Sequence, residues 1–149
     1  MAKRFKIRDS DPGFKNFRNQ LKGGPNAVNI GLFGEQGSDL VIYAASNEFG
    51  TEKNPERSFL RSTVDEKKRK FIKFIDRQKI NIVKSRISRN VALRRLGVFA
   101  ESEVVKKINR GPFVPNKPST IAKKGSSKPL IDTGRMRASI ISKVVNVKA

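Results

Sequence analysis

The sequence lacks cysteine and histidine, and it contains no tryptophan. Without cysteine the chain can form no disulfide and no thiolate metal site, and it has no thiol nucleophile. Without histidine it lacks the commonest general base and the commonest metal ligand. We therefore expect a protein that is not an enzyme and that needs no cofactor and no metal.

Long apolar runs and acidic residues are also scarce. No apolar run approaches the roughly 18 residues of a membrane-spanning helix, so we expect no membrane partner. The chain carries 13 acidic residues against 33 lysines and arginines, a formal net charge of +20. So large a positive charge predicts a negative partner, either a nucleic-acid backbone or an acidic protein surface.

Apolar residues form 36% of the 149 residues, which predicts one domain with a small core that neighbouring subunits help to order. We divide the chain into a mobile basic N-terminal arm, residues 1–25, and a single α+β domain, residues 26–149. Within the arm, apolar residues at helical spacing predict a short helix over residues 12–22. Within the domain, residues 111–130 are rich in Pro, Lys, Ser and Gly, which predicts an extended irregular loop with a short helix near residues 119–123.

The apolar pattern predicts a small, mostly antiparallel sheet packed by two long helices. Alternating apolar residues favour strands over residues 28–33 and 141–147. A helix is expected from Asp39 to Gly50, capped by Ser38 or Asp39, although residues 40–43 are also compatible with a strand. The second long helix is predicted to end at residues 109–111.

The first long helix, expected within residues 54–83, is the organising feature of the sequence. Asn54 is a candidate cap, Pro55 suits a first turn, and Ser62 and Thr63 precede two acids in capping-box register. One side of this helix is basic and the other is apolar, so we expect the apolar stripe to lie on the sheet. The stripe consists of Leu60, Val64, Phe71 and Ile75.

Basic clusters along the chain are candidates for binding DNA or an acidic partner. They would contact phosphates without recognising base sequence, and a merely solvated face is the alternative. No zinc finger, RNA-recognition motif or helix-turn-helix pattern is present. The candidate residues are Lys67, Lys68, Lys70, Arg94, Arg95, Lys123 and Lys124.

Three segments, in this order, resemble one known family. They are YAASNEFGT (residues 43–51), PERSFLR (residues 55–61), and PNKPSTI followed after a Lys-Gly linker by PLIDTGRMRASI (residues 115–121 and 129–140). Together they resemble the neck or tail-completion proteins of long-tailed bacteriophages, also described as head–tail joining or virion morphogenesis proteins. The resemblance spans roughly residues 28–147.

The resemblance implies a structural virion protein that forms a ring, a hexamer or dodecamer, at the interface between the DNA-filled capsid and the tail. Its expected partners are further copies of itself, the head-side connector, the tail-terminator and tube proteins, and DNA passing through the channel. It would be assembled in the cytoplasm of the bacterial host and reside in the neck or tail of the virion. The alternative is a sequence-nonspecific nucleic-acid-binding protein.

Within these segments we expect structural or interface roles. Glu48 and Arg57 are predicted to form an ion pair that fixes the start of the long helix, and Gly50 to end the helix before it. The remaining residues are three apolar anchors of the helix on the sheet, Phe49, Phe59 and Leu60, and a tight turn that places the last strand, Thr133, Gly134 and Arg135.

Overall fold

In the computed structural model, which describes residues 12–147, helices form most of the chain and two strands form one sheet. This confirms the predicted α+β class. A 3-10 turn, Gly34–Gln36, follows the first strand. The elements in order are α1 (Pro12–Leu21), β1 (Ala27–Gly31), α2 (Ser38–Phe49), α3 (Arg61–Val83), α4 (Arg89–Arg110), α5 (Pro118–Lys124), α6 (Arg135–Ala138) and β2 (Ile141–Val145).

The sheet pairs the first and last strands in antiparallel register, with Ala27 opposite Val145 and Gly31 opposite Ile141. Asn26 continues the pairing beyond the strands, because its side chain exchanges two hydrogen bonds of 2.8 Å with the backbone of Val147. Both strands were predicted, and both are shorter than their apolar patterns suggested.

Helix α4 packs on both strands through a glycine, a position that has no side chain. A Cβ at Gly97 would lie 2.8 Å from the Cβ of Ser142 and 3.4 Å from Val28 Cγ1. Beside this contact, the Ser142 N–H donates to Glu101 Oε1 at 2.6 Å. The glycine therefore lets α4 approach the sheet closely.

Helix α3 runs antiparallel to α4 and packs along it through aromatic residues. The Phe74 and Phe99 rings are stacked with centroids 4.7 Å apart, and Phe71 meets Phe99 edge-on at 5.5 Å. The stripe was expected to lie on the sheet, but Val64 is exposed and α4 makes the main contact with the strands. The close approach at Gly97 explains why α4 takes that position.

The hydrophobic core lies where α2, the chain before α3, the second half of α4 and the segment before β2 converge. Phe59 and Val104 are its most deeply buried large residues. The core cluster consists of Leu40, Ala44, Phe59, Val104, Ile108, Leu130, Met136 and Ile140.

The N-terminal boundaries of two helices differ from the prediction. α3 begins at Arg61, because the chain before it folds into a turn in which the Asn54 N–H donates to the Thr51 carbonyl at 3.2 Å. Thr63 forms no capping box; its hydroxyl donates to the Phe59 carbonyl at 2.6 Å. α2 is preceded by Gly37, at a φ of +111°, and no side chain caps it.

The predicted arm and the predicted loop each contain a helix. Residues 12–21 of the predicted arm form α1, which lies against α3, whereas residues 1–11 are outside the described range. The predicted loop over residues 111–130 contains α5, which is slightly longer than the short helix expected there.

Candidate interaction site

A buried carboxylate organises the region between α2 and α3. Glu48 is 4% exposed, and its Oε1 accepts from the Ser58 hydroxyl at 2.7 Å and from the Arg61 N–H at 2.8 Å. Its Oε2 accepts from the N–H groups of Phe59 and Leu60 at 2.7 and 2.9 Å. Glu48 therefore caps α3 from a neighbouring helix, satisfying N–H groups that a helix leaves unpaired at its start.

The predicted ion pair between Glu48 and Arg57 is wrong. Arg57 instead donates to the carbonyls of Val114 at 2.8 Å and Pro115 at 3.1 Å, and to Asn47 Oδ1 at 3.4 Å. The Arg57 N–H donates to the Asn47 carbonyl at 2.7 Å. Since the capping bonds occupy both oxygens of Glu48, the guanidinium turns to neutral acceptors and holds residues 114–115 against α2.

The apolar anchors divide into buried and exposed residues. Phe59 is fully buried in the core and Leu60 packs against it. Phe49, predicted to anchor the helix, is 66% exposed, and the Arg61 guanidinium lies 5.9 Å from its ring centroid. Phe49 follows Glu48 directly, so a helix that points Glu48 inward turns Phe49 outward. Gly50 ends α2 at a φ of +75°.

An apolar groove lies beside Phe49. It encloses about 340 Å³ between α2 and the start of α3. Ile42, on the same helix, is also 66% exposed. The groove is lined by Leu32, Val41, Ala44, Ala45, Glu48, Phe49, Leu60 and Arg61.

Residues Thr133, Gly134 and Arg135 form the turn that precedes α6 and β2. Gly134 has a left-handed backbone at a φ of +80°, and Thr133 Oγ1 accepts from the Arg135 N–H at 3.4 Å. The turn directs Met136 into the core.

The candidate basic residues are distributed over three surfaces. Lys67 and Lys70 line a cavity of about 310 Å³ between α3 and α4, together with the carboxylates of Glu66 and Glu103. Lys68 is exposed on α3. The remaining four candidates lie away from this cavity. Arg94 and Arg95 precede Glu103 by two turns of α4, about 12 Å. Lys123 and Lys124 are the last residues of α5.

Two carboxylates between the long helices are held in their ionised form. Hydrogen bonds from Lys106 at 2.8 Å and Lys70 at 3.4 Å lower the pKa of Glu103, which is 5% exposed, against the opposing effect of burial. A hydrogen bond from Lys107 at 2.6 Å lowers the pKa of the exposed Glu66. The pairs Lys70–Glu103 and Lys107–Glu66 join α3 to the end of α4.

Sequence reasoning missed the buried role of Asn47. Its side chain donates to the Tyr43 carbonyl at 2.8 Å and accepts from Arg57. A signal was available, because Asn47 and Glu48 share the helix face of the buried Leu40 and Ala44. Polar residues on an apolar face indicate buried hydrogen bonding.

Within residues 12–147 no three His, Cys, Asp or Glu side chains are placed to hold a metal ion. No helix in the same range is long and apolar enough to cross a membrane. No protein-family model, curated protein or solved structure matches this chain.

Proposed function

We propose that the chain is a structural protein of the bacteriophage neck, which forms a ring that joins the capsid to the tail. The observation that carries the proposal is the ordered resemblance of three segments to the neck and tail-completion family. Their packing supports it. The first segment supplies Glu48, which caps α3 where the second segment ends, and Arg57 of the second segment binds the start of the third. Three segments that belong to one fold are expected to contact one another, as these segments do.

The exposed apolar side of α2 is the surface that a neighbouring subunit would cover. Ile42 and Phe49 are large apolar residues, each 66% exposed, and the second borders the apolar groove. Exposed apolar residues of this kind are typical of protein interfaces. A ring then arises from a head-to-tail contact that closes on itself.

The test is the assembly state of the purified chain. We expect closed rings of six or twelve subunits by electron microscopy and sedimentation. Ile42→Glu and Phe49→Glu should yield smaller species with an unchanged helical circular dichroism spectrum. Val98→Glu is the matched control, since Val98 is 64% exposed on α4, and it should leave the rings intact.

The same proposal has a test in the virion. Deleting the gene from the phage that carries it should leave filled heads and finished tails unjoined. Heads and tails that still join without the protein would refute the neck function.

The basic residues of α3 favour a second candidate, sequence-nonspecific nucleic-acid binding. Lys67, Lys68, Arg69, Lys73 and Arg77 form no ion pair with any residue in the described part of the chain. Binding to a short duplex should then weaken steeply with salt, and each removed phosphate contact should reduce the logarithmic salt slope by about 1. Weak binding at physiological salt would refute this candidate.

A further inference from the structure

A basic cleft lies between α2, the chain before α3, and α5. It encloses about 170 Å³. Four of the side chains that line it are basic and one is acidic, and the only tyrosine of the protein stands on its wall. These six residues, which we call the Arg57 cleft, are Tyr43, Lys53, Arg57, Lys117, Lys124 and Asp132.

Arg57 carries a buried charge. The residue is 8% exposed, yet every acceptor of its guanidinium is a neutral carbonyl or amide oxygen. It forms no ion pair within residues 12–147. Removing a charge from water is costly unless an opposite charge compensates it. The buried guanidinium therefore lacks a counter-ion.

Further positive charge accumulates around Arg57. Lys53, Lys117 and Lys124 come from separate stretches of the sequence, and none of them pairs with an acidic residue in the range that the structure describes. Asp132 is the one carboxylate on the cleft wall. Like charges held this close repel one another, and a bound anion relieves that repulsion.

From these two observations we infer that the Arg57 cleft binds the carboxylate of an Asp or Glu side chain that projects from a partner protein. The cleft is concave and small, so it suits a single side chain, and Tyr43 and Pro55 offer apolar surface to the methylene groups behind the carboxylate. Duplex DNA carries its phosphates on a broad convex surface, which fits such a cleft poorly. The inference does not require a ring, because one chain contains the whole cleft.

Tyrosine fluorescence provides a direct probe. The protein has one tyrosine and no tryptophan, so its intrinsic fluorescence comes mainly from Tyr43, which lines the Arg57 cleft and also a neighbouring cavity beside Asp39 and Met136. Titration of the full chain with an octaglutamate peptide should change this fluorescence and saturate at one peptide per chain. The variant Lys53→Ala/Lys117→Ala/Lys124→Ala should bind the peptide about tenfold more weakly.

A matched control separates the cleft from general charge attraction. Lys15→Ala/Lys22→Ala/Lys84→Ala removes the same charge from exposed positions elsewhere, and it should weaken peptide binding less than about twofold. Equal losses in both triple variants would overturn the inference. Circular dichroism should show that both variants are folded, because their substituted side chains lie at or near the surface.

A titration with DNA distinguishes a phosphate from a protein carboxylate as the bound anion. When each variant is titrated with a short DNA duplex, the cleft variant and the control variant should lose the same amount of binding affinity. If the duplex alone changed the tyrosine fluorescence, and the cleft variant alone lost that response, the ligand would be phosphate. That result would overturn the assignment to a protein carboxylate.

Discussion

Glu48 caps a helix to which it does not belong: its Oε1 accepts from the Arg61 N–H at 2.8 Å, joining the last turn of α2 to the first residue of α3. Neither terminus of the intervening eleven-residue stretch, residues 50–60, is free to move without breaking this contact. The direction of the long basic helix therefore depends on a carboxylate thirteen positions earlier in the chain.

We expect Glu48→Ala to lower the free energy of unfolding by about 3 kcal/mol, since it removes a cap and leaves buried N–H groups unpaired. Glu48→Gln should cost nearly as much, because its amide NH₂ would face N–H donors that the carboxylate now accepts. Urea unfolding followed by circular dichroism measures both effects. Glu52→Ala, at an exposed position just after α2, should change stability by less than about 0.5 kcal/mol. If Glu48→Gln left the free energy of unfolding unchanged, neither the charge nor the number of hydrogen-bond acceptors at position 48 would matter.

Gly97→Ala should destabilise the protein by about 2 kcal/mol, because its methyl group would collide with Ser142 on β2. Adding Ser142→Gly removes that collision, so the double variant should be more stable than the sum of the single effects by at least about 1 kcal/mol. Thermal or urea unfolding of the four proteins closes this cycle. Gly34→Ala is the control, since a Cβ at that position meets no atom within 4 Å. If the effects of the two single substitutions simply added, the strain would not arise from the contact between positions 97 and 142.

Arg57→Lys should release residues 113–117, because an ammonium cannot bridge the carbonyls of Val114 and Pro115 as the guanidinium fork does. Hydrogen exchange measured by mass spectrometry should show faster exchange in this segment and unchanged exchange in α4. Arg110→Lys provides the matched control at an exposed position close in sequence. Unaltered exchange in the Arg57 variant would mean that other contacts hold the segment.

Acid should weaken the contact between α3 and α4 through Glu103. Hydrogen bonds from Lys106 and Lys70 lower the pKa of Glu103 in the folded state, so the folded protein binds fewer protons than the unfolded chain. The resulting stability is present above the ordinary glutamate pKa of about 4.3 and is lost as the pH falls through the lowered value. Urea midpoints at pH 7 and pH 3 should therefore differ less in Glu103→Gln than in the wild type. Glu52→Gln should retain the wild-type difference.

Local patterns predicted the helical parts of this fold well. Apolar spacing located α1 and α4, Gly50 marked the end of α2, and Gly111 marked the end of α4 correctly. These features depend on residues within one or two turns of each other, which is the range that sequence periodicity describes.

Tertiary contacts explain the failures. Asn54 and Pro55 are good local start signals, but the capping bonds of Glu48 and the burial of Phe59 place the start of α3 at Arg61. The sheet was expected beneath α3, yet the glycine at position 97 gives α4 the closer approach. In both cases the outcome depends on residues that are distant in sequence, and no local pattern specifies their meeting.

Some features of the candidate site were also predictable from the sequence, and others were not. Phe59, Gly134 and the involvement of Glu48 at the start of α3 were accessible from the sequence, whereas the neutral partners of Arg57 were not. The resemblance to the neck and tail-completion family suggested an ion pair between Glu48 and Arg57. The competing backbone N–H groups became visible only with the turn before Arg61.

The pairing of β1 with β2 has a consequence for the order of folding. The hydrogen bond between Asn26 and Val147 spans 121 positions, whereas α3 and α4 are joined by a short connection. During synthesis the two long helices can associate as soon as residue 110 has left the ribosome, but β1 can pair with β2 only after residue 145 has emerged. We therefore expect nascent chains to carry a formed helical pair beside an unpaired first strand, which stays open to wrong partners until translation reaches β2.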